Sequence, residues 1–370
     1  MIKVLFLIHD LSGGGAEKVL VNLVNNMNRD KFEITVISLF GGGVNEQFLK
    51  NDIRYKAIFK KTFRGNSKIM KLLTPRQLHN LFVREKYDIE VSYLEGPSAR
   101  IISGCPNKNT KLVSWIHCLQ RTKKVASASF RSYEESKGCY SKFDNIICVS
   151  EHAKEDFLNI YPNIKNIEVL YNTNETAEII AKSKEAVTEA CFNNNEIKII
   201  GVGKIVPIKG FDKLARIHKR LRDMGYQIHT YVLGVGDDRK KIEAYLDANG
   251  ISDSFTFLGY HTNPYKYVSK CDLFVCASVS EGFSTVATEA LIVGTPVITT
   301  HVSGMNEMLG NNNEYGIIVE NDEESLYRGI KELLDNPAML QYYKKQAKFR
   351  GKAFETQNTV RAVEEMLLKL

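Results

Sequence analysis

The chain has 370 residues, 44% hydrophobic and 25% charged, with a formal net charge of +7. That length suits two domains, and that composition excludes disorder, collagen and coiled coil as the main architecture. A charge of +7 alone selects neither nucleic acid nor a membrane as partner, but its distribution is uneven. Residues 1–170 hold 26 Lys+Arg against 17 Asp+Glu, and residues 171–370 hold 24 against 26. The positive excess therefore lies in the first half. Ile53 to Arg84 contains nine Lys/Arg and no acid, and Gly96 to Tyr133 contains seven and no acid.

Short β-branched runs alternate with amphipathic segments. Val4–Ile8, Ile34–Leu39, Ile89–Tyr93, Lys111–Ile116 and Asn145–Val149 read as strands buried on both faces, as in a parallel sheet. Ala16–Met27 places Val19, Leu20, Leu23, Val24 and Met27 at helical spacing, so the first elements form a strand–helix–strand unit with a right-handed crossover. The rhythm restarts in the second half. Strands are expected at Ile197–Val202, His229–Leu233, Ser254–Leu258, Leu273–Ala277, Pro296–Thr300 and Gly316–Val319. Helices are expected at Phe211–Met224, Arg239–Asn249, Ser284–Val293 and Glu323–Asp335, then at about Pro337–Gly351 and Glu355–Leu370. The fold class is α/β, with two Rossmann-like domains whose parallel sheets face a central cleft. The expected boundaries are 1–171, a polar linker at 172–195, 196–350, and a C-terminal helix at 351–370 that packs back on the N-terminal domain.

Seven cysteines, at 105, 118, 139, 148, 191, 271 and 276, make an odd number with no C-x-x-C. Neither a disulfide framework nor a zinc motif follows, and a reducing compartment fits. No apolar run approaches the roughly 18 residues of a membrane span. The start, Met1-Ile-Lys-Val-Leu-Phe-Leu-Ile-His-Asp, reads as a strand rather than a signal peptide. The expected location is the cytoplasm.

Ligands of such sheets bind at the carboxyl ends of the strands, so chemistry is sought in the loops that follow them. Ser12-Gly13-Gly14-Gly15-Ala16-Glu17 follows the first strand and opens a helix. Glycines let backbone approach a ligand, and a helix N-terminus offers free N–H groups to phosphate. The dinucleotide fingerprint fails, because its last glycine position is Lys18 and the second strand ends in Phe40-Gly41 without an acid. Lys204 and Lys209 sit in the loop Gly201–Gly210, where two cations beside a helix start suit a diphosphate.

Ser278 to Pro296 is the richest segment. Gly282, Phe283, Ser284 and Thr285 lie where a helix begins. Glu281 and Glu289 are eight residues apart, about 12 Å along a helix axis. That span lets two carboxylates take hydroxyls at the two ends of a nucleotide sugar, with the helix end on its phosphates. A helix-end acid plus a surface acid would also account for the pair. His117 ends a strand and is either a structural residue or a polar or acid/base group of the cleft. No D-x-D and no clustered His/Cys set occurs in the sequence, so no metal and no cofactor are expected.

Taken together in order, these segments resemble the retaining glycosyltransferases of family four, with the two-Rossmann-domain GT-B fold. The resemblance runs through Gly14-Gly-Ala-Glu17, Val149-Ser-Glu151, Val169-Leu-Tyr-Asn172, Gly203–Gly210, Phe257-Leu-Gly259, Cys271–Ser278, and Glu281-Gly-Phe-Ser with Glu289. It implies that Glu281 contacts the transferred sugar and Glu289 the donor ribose. Gly282, Phe283, Ser284 and Thr285 resemble the turn that holds sugar and phosphate. Lys209 matches the lysine on the diphosphate, and Lys204 stands where the family usually has arginine. Gly14 and Gly15 resemble the loop that closes on the diphosphate, Tyr260 sits where the nucleobase meets the chain, and His117 lies beside the reacting centre. The catalytic set implied is His117, Glu281 and Lys209, with a UDP-sugar as donor.

In this family the N-terminal domain takes the acceptor. Its basic stretch Arg64–Arg76 carries Ile69, Met70, Leu72 and Leu73, as a segment held at an anionic membrane would. The expectation is a glycan or lipid-linked acceptor, with peripheral membrane contact through residues 53–84, in bacterial cell-surface polysaccharide synthesis such as capsule assembly. A sugar-nucleotide epimerase and a silent glycan-binding subunit are the alternatives. Nucleic acid is not expected, because aromatics are not interleaved with the basic residues.

Overall fold

The computed structural model describes every residue except 64, 65, 190, 191, 193, 194 and 282, and the backbone alone of Ser67. The chain divides into two compact units, Met1–Asn174 with Thr356–Leu370, and Glu175–Glu355.

The first unit is built on seven parallel strands: β1 (Ile2–Ile8), β2 (Phe32–Phe40), β3 (Arg54–Phe59), β4 (Ile89–Ser92), β5 (Lys111–Ile116), β6 (Asn145–Cys148) and β7 (Ile167–Val169). Their order is β3-β2-β1-β4-β5-β6-β7. Central β1 buries Val4 through Ile8 completely, because helices must cover both faces of a parallel sheet. The helix Gly15–Asn26 crosses from β1 to β2 and buries Val19, Leu20, Leu23 and Val24. The last helix, Thr356–Leu368, packs against it. Glu364 accepts the Asn28 N–H at 2.6 Å, and Thr356 Oγ1 donates to the Asn174 carbonyl at 2.6 Å.

The second unit has six parallel strands: β8 (Ile197–Val202), β9 (Ile228–Leu233), β10 (Phe255–Gly259), β11 (Leu273–Cys276), β12 (Val297–Thr300) and β13 (Ile317–Val319). Their order, β10-β9-β8-β11-β12-β13, repeats the first six strands of the other sheet. Both sheets thus reverse direction beside their first strand, between β1 and β4 and between β8 and β11. A doubly wound sheet opens its ligand crevice at that point.

Two strands escaped the sequence pattern. Edge strand β3 alternates exposed Arg54 and Lys56 with partly buried Tyr55, so it never shows a continuous apolar run. Strand β7 has only three residues, with exposed Glu168 in the middle. The basic segment is also more structured than its charge suggested. After β3 come the helices Asn66–Leu72 and Pro75–Phe82. The second is started by a capping box between Thr74 and Gln77. Met70 and Leu73 pack on the core of the unit, whereas Ile69 and Leu72 are 54% and 78% exposed.

Two arginines tie down the carboxyl end of the first of these helices. Arg100 is buried, pairs with Glu135 at 3.0 Å, and donates to the carbonyls of Met70 and Leu73 at 2.8 and 2.7 Å. Arg131 donates to the carbonyls of Lys71 and Leu72. The carbonyls of Lys71, Leu72 and Leu73 are thereby satisfied, and Met70 gains a second donor besides the Leu73 N–H, where a helix dipole favours positive charge. Arg100→Leu removes a buried ion pair with Glu135 and the only side-chain bond to the Leu73 carbonyl among the described residues, and should cost about 3–5 kcal/mol in urea unfolding.

Candidate active site

In the second unit the loops after β8 and β11 meet at the reversal point. Val279 N–H donates to the Ile208 carbonyl at 2.8 Å. The approach requires glycine at 210: its φ is +67°, and a Cβ there would lie 2.2 Å from the Ala277 carbonyl oxygen. This contact brings Lys209 and Glu281 together, Nζ to Oε1 at 2.6 Å. Ser278 Oγ donates to the same Oε1 at 2.6 Å, and Thr300 Oγ1, at the end of β12, donates to the Ser278 carbonyl. Lys209 and Glu281 are mostly buried, with side chains 25% and 11% exposed. The ion pair is therefore only partly screened by water. Lys204 is exposed in the same loop.

The helix Thr285–Val293 starts directly beyond. Ser284 is its N-cap residue, yet the side chain makes no capping bond. Its Oγ is buried without a hydrogen-bond partner among the described residues. A buried hydroxyl without a partner costs free energy, and here it stands among helix N–H groups that lack intrahelical partners. Both features match an anion held at the helix end. Phe283 is buried against Phe354, ring centroids 6.4 Å apart. Gly282 lies outside the described residues.

Glu289 is one turn further along and buried, accepting from Tyr265 Oη at 3.3 Å. The helix that carries it is enclosed by the helices Thr176–Ser183, Tyr265–Val268 and Pro337–Gly351. Tyr260 follows β10 after Gly259, whose φ is +78°, and is 68% exposed. The structure thus assembles Lys209, Glu281 and Ser284 at one sheet edge, with Lys204 in the same loop. Tyr260 lies at the end of a different strand.

At the corresponding edge of the first unit, Gly14 caps the helix Gly15–Asn26 without a side-chain bond. Asp10, just past β1, pairs with His9 Nδ1 at 2.7 Å and accepts the Ser12 N–H at 2.9 Å. Burial opposes ionisation of Asp10, but the bonds from Ser12 and His9 outweigh it and hold the carboxyl below its usual range. Burial raises Glu17 and Glu95, with their acidic neighbours adding to the effect at Glu17. Glu95 accepts the backbone N–H of His117 at 3.0 Å. Sequence reasoning did not single out Asp10, Glu95 or Ser278. The available signal was a polar residue within three positions of a strand's carboxyl end at a reversal point.

His117 packs on Tyr93, ring centroids 5.0 Å apart. It is buried, and its Nε2 lacks a partner among the described residues. Burial pulls its pKa down to about 3. The ring is therefore neutral at working pH and suits a polar contact, not an imidazolium acid. Because the folded pKa lies below the unfolded value of about 6.5, this histidine's contribution is complete above that value. It is lost as pH falls toward 3, by about 1.4 kcal/mol per pH unit. Between pH 6.5 and 5 the wild type should lose about 2 kcal/mol more than His117→Gln in urea unfolding.

With this geometry in view, the relatives can be placed. Residues 13–177 match the model of Glycosyltransferase Family 4, and residues 183–350 match that of Glycosyl transferases group 1. The chain belongs to these glycosyltransferases, and its two units have the Rossmann-like architecture of the GT-B fold. It is 28% identical over 377 residues to the N-acetylgalactosamine-N,N'-diacetylbacillosaminyl-diphospho-undecaprenol 4-alpha-N-acetylgalactosaminyltransferase of Campylobacter jejuni, covering 100% of both chains. Among solved structures it resembles Anabaena Alr3699/HepE in complex with UDP-glucose, with a TM-score of 0.80 and 17% identity over 100% of both chains. The apo lipopolysaccharide outer core galactosyltransferase WaaB is similar too, with a TM-score of 0.75 and 17% identity over 100% of both chains.

Proposed function

We propose that the chain is a retaining, metal-independent glycosyltransferase that moves a sugar from a UDP-sugar donor to a lipid-linked glycan. The observation that carries this reading is the paired Lys209–Glu281 beside the unpartnered Ser284 hydroxyl at a helix N-terminus. Cation, hydroxyl and helix end are all suited to a departing diphosphate, and act where negative charge develops. They supply positive potential without a metal. In this reading Glu281 exchanges its bond from Lys209 for sugar hydroxyls, and buried Glu289 accepts from the ribose. His117, buried and neutral with a free Nε2 among the described residues, is suited to a polar contact at the edge of the first unit. In a retaining transfer the acceptor hydroxyl attacks the face the diphosphate leaves, and a leaving phosphate oxygen takes its proton.

UDP is supported by the HepE complexes with UDP and UDP-glucose. The lipid-linked acceptor is supported by the Campylobacter jejuni relative, whose name contains diphospho-undecaprenol and an alpha linkage. An alpha product is what retention at an alpha-linked sugar nucleotide gives. Among the described residues no helix is long and apolar enough to cross a membrane, so reaching a lipid-borne acceptor calls for a surface contact. The helix Asn66–Leu72 offers exposed Ile69 and Leu72 next to Lys68 and Lys71. Each Lys or Arg near an anionic leaflet is worth about 1 kcal/mol.

A panel of UDP-sugars, with GDP- and ADP-sugars as controls, should raise the Tm selectively with one UDP-sugar. Glu289→Ala and Lys209→Ala should weaken its binding about 10- to 100-fold. Glu281→Ala should chiefly lower turnover, by about 10²- to 10³-fold. Wild-type rates in any of the three would overturn the site assignment.

Sedimentation with anionic vesicles tests the membrane contact. Binding should weaken with salt and fall at least several-fold in Ile69→Ser/Leu72→Ser. Absence of binding at low salt would remove that part of the reading.

A further inference from the structure

The mixed set of His79, Glu90 and Cys105 lies away from both reversal points and brings donor atoms within 4.8 Å of one another. These residues are far apart in sequence, so no ligand spacing announced them. Glu90 is the second residue of β4, near the amino end of a strand whose carboxyl end borders the candidate site. His79 comes from the helix Pro75–Phe82, and Cys105 from the turn after the helix Pro97–Ile102. His79 Nε2 lies 2.7 Å from Glu90 Oε2, and Cys105 Sγ lies 3.6 Å from Glu90 Oε1. His79 and Glu90 are 4% and 2% exposed, and Cys105 is half-buried.

The backbone is built for this convergence. A Cβ on Gly104 would lie 2.0 Å from the Pro75 carbonyl oxygen. Only glycine lets the Cys105 turn sit directly on the first turn of the histidine's helix. His79 Nδ1 is buried without a partner among the described residues. Its Nε2 faces the cluster.

We propose that His79, Glu90 and Cys105 form a zinc-binding site in the first unit, with three protein ligands and an open fourth position. Nitrogen, oxygen and sulfur together suit a borderline-soft ion. Zinc bond lengths place neighbouring tetrahedral ligand atoms about 3.3–3.8 Å apart. The sulfur–oxygen distance already lies in that range, and the nitrogen–oxygen distance needs to open by about 0.6 Å. A carboxylate and a thiolate carry two negative charges, which one divalent ion neutralises at little-hydrated positions. The half-exposed cysteine provides an entry path and leaves a fourth position for water. The metal would pin the helix Pro75–Phe82 to β4, and through it the basic helix that precedes it. It takes no part in sugar transfer.

The protein, stripped with a chelator, is titrated with Co²⁺ and then Zn²⁺. One Co²⁺ per chain should bind with a thiolate-to-cobalt charge-transfer band, and Zn²⁺ should displace it and raise the Tm. Cys105→Ser should abolish the band and weaken Zn²⁺ binding at least tenfold, whereas Cys118→Ser, at an exposed cysteine of the same unit, should leave both unchanged. Circular dichroism checks that each variant is folded. A measurement on the wild type alone is alkylation followed by peptide mapping, in which Zn²⁺ should protect Cys105. No thiolate band, a band that survives Cys105→Ser, or no protection of Cys105 would overturn the proposal and leave a hydrogen-bonded cluster only.

Discussion

The ammonium group of Lys209 and the carboxylate of Glu281 sit 2.6 Å apart, on two loops that leave adjacent strands at the reversal of one sheet. Each group is mostly out of water, so neither is cheaply left alone. Gly210 makes the contact possible by allowing backbone to touch backbone. Ser278 Oγ then donates to the carboxylate, and Thr300 Oγ1 holds the Ser278 backbone by its carbonyl. A diphosphate arriving at the helix end would compete with Glu281 for Lys209, and a sugar would compete with Lys209 for Glu281. The pair thus holds this edge together and, in the proposed reading, offers a cation to the diphosphate and a carboxylate to the sugar.

The charge of the first half has a more specific meaning than a basic domain. At the reversal of the first sheet stand Asp10, which accepts from His9 and Ser12, Glu95, which accepts the His117 N–H, and Glu17, whose carboxyl burial pushes up together with Asp10 and Glu95. That edge is acidic. The positive excess belongs to the segment after β3, where Arg100 and Arg131 hold a short helix by its carbonyl end. Phe40 and Phe59 stack, Phe63 packs edge-on against both, and His9 lies tilted on Phe40. The basic helix and the acidic edge thus carry opposite charge within one unit.

Most of the fold was legible because buried parallel strands must be largely apolar on both faces, as β1 is from Val4 to Ile8 and β11 is throughout. Strands β3 and β7 were not legible, since an exposed edge and three residues leave no such run. The site was legible where one loop carries several groups in order, as from Ser278 to Glu289. It was illegible where residues distant in sequence converge. Nothing in the spacing of Asp10, Glu95 and His117, or of His79, Glu90 and Cys105, predicts a shared neighbourhood. The solitary serine hydroxyl at 284 also has no sequence signature, because lacking a partner is a property of packing.

The most direct test of the central ion pair is a double-mutant cycle on binding of UDP, without a sugar, measured by calorimetry. Wild type, Lys209→Met, Glu281→Gln and the double variant are compared. If Glu281 competes with the diphosphate for Lys209, Glu281→Gln binds UDP several-fold more tightly than wild type. Lys209→Met binds more weakly, and the double variant matches Lys209→Met. Equal affinity in wild type and Glu281→Gln, or a gain from Glu281→Gln that persists without Lys209, would contradict the account.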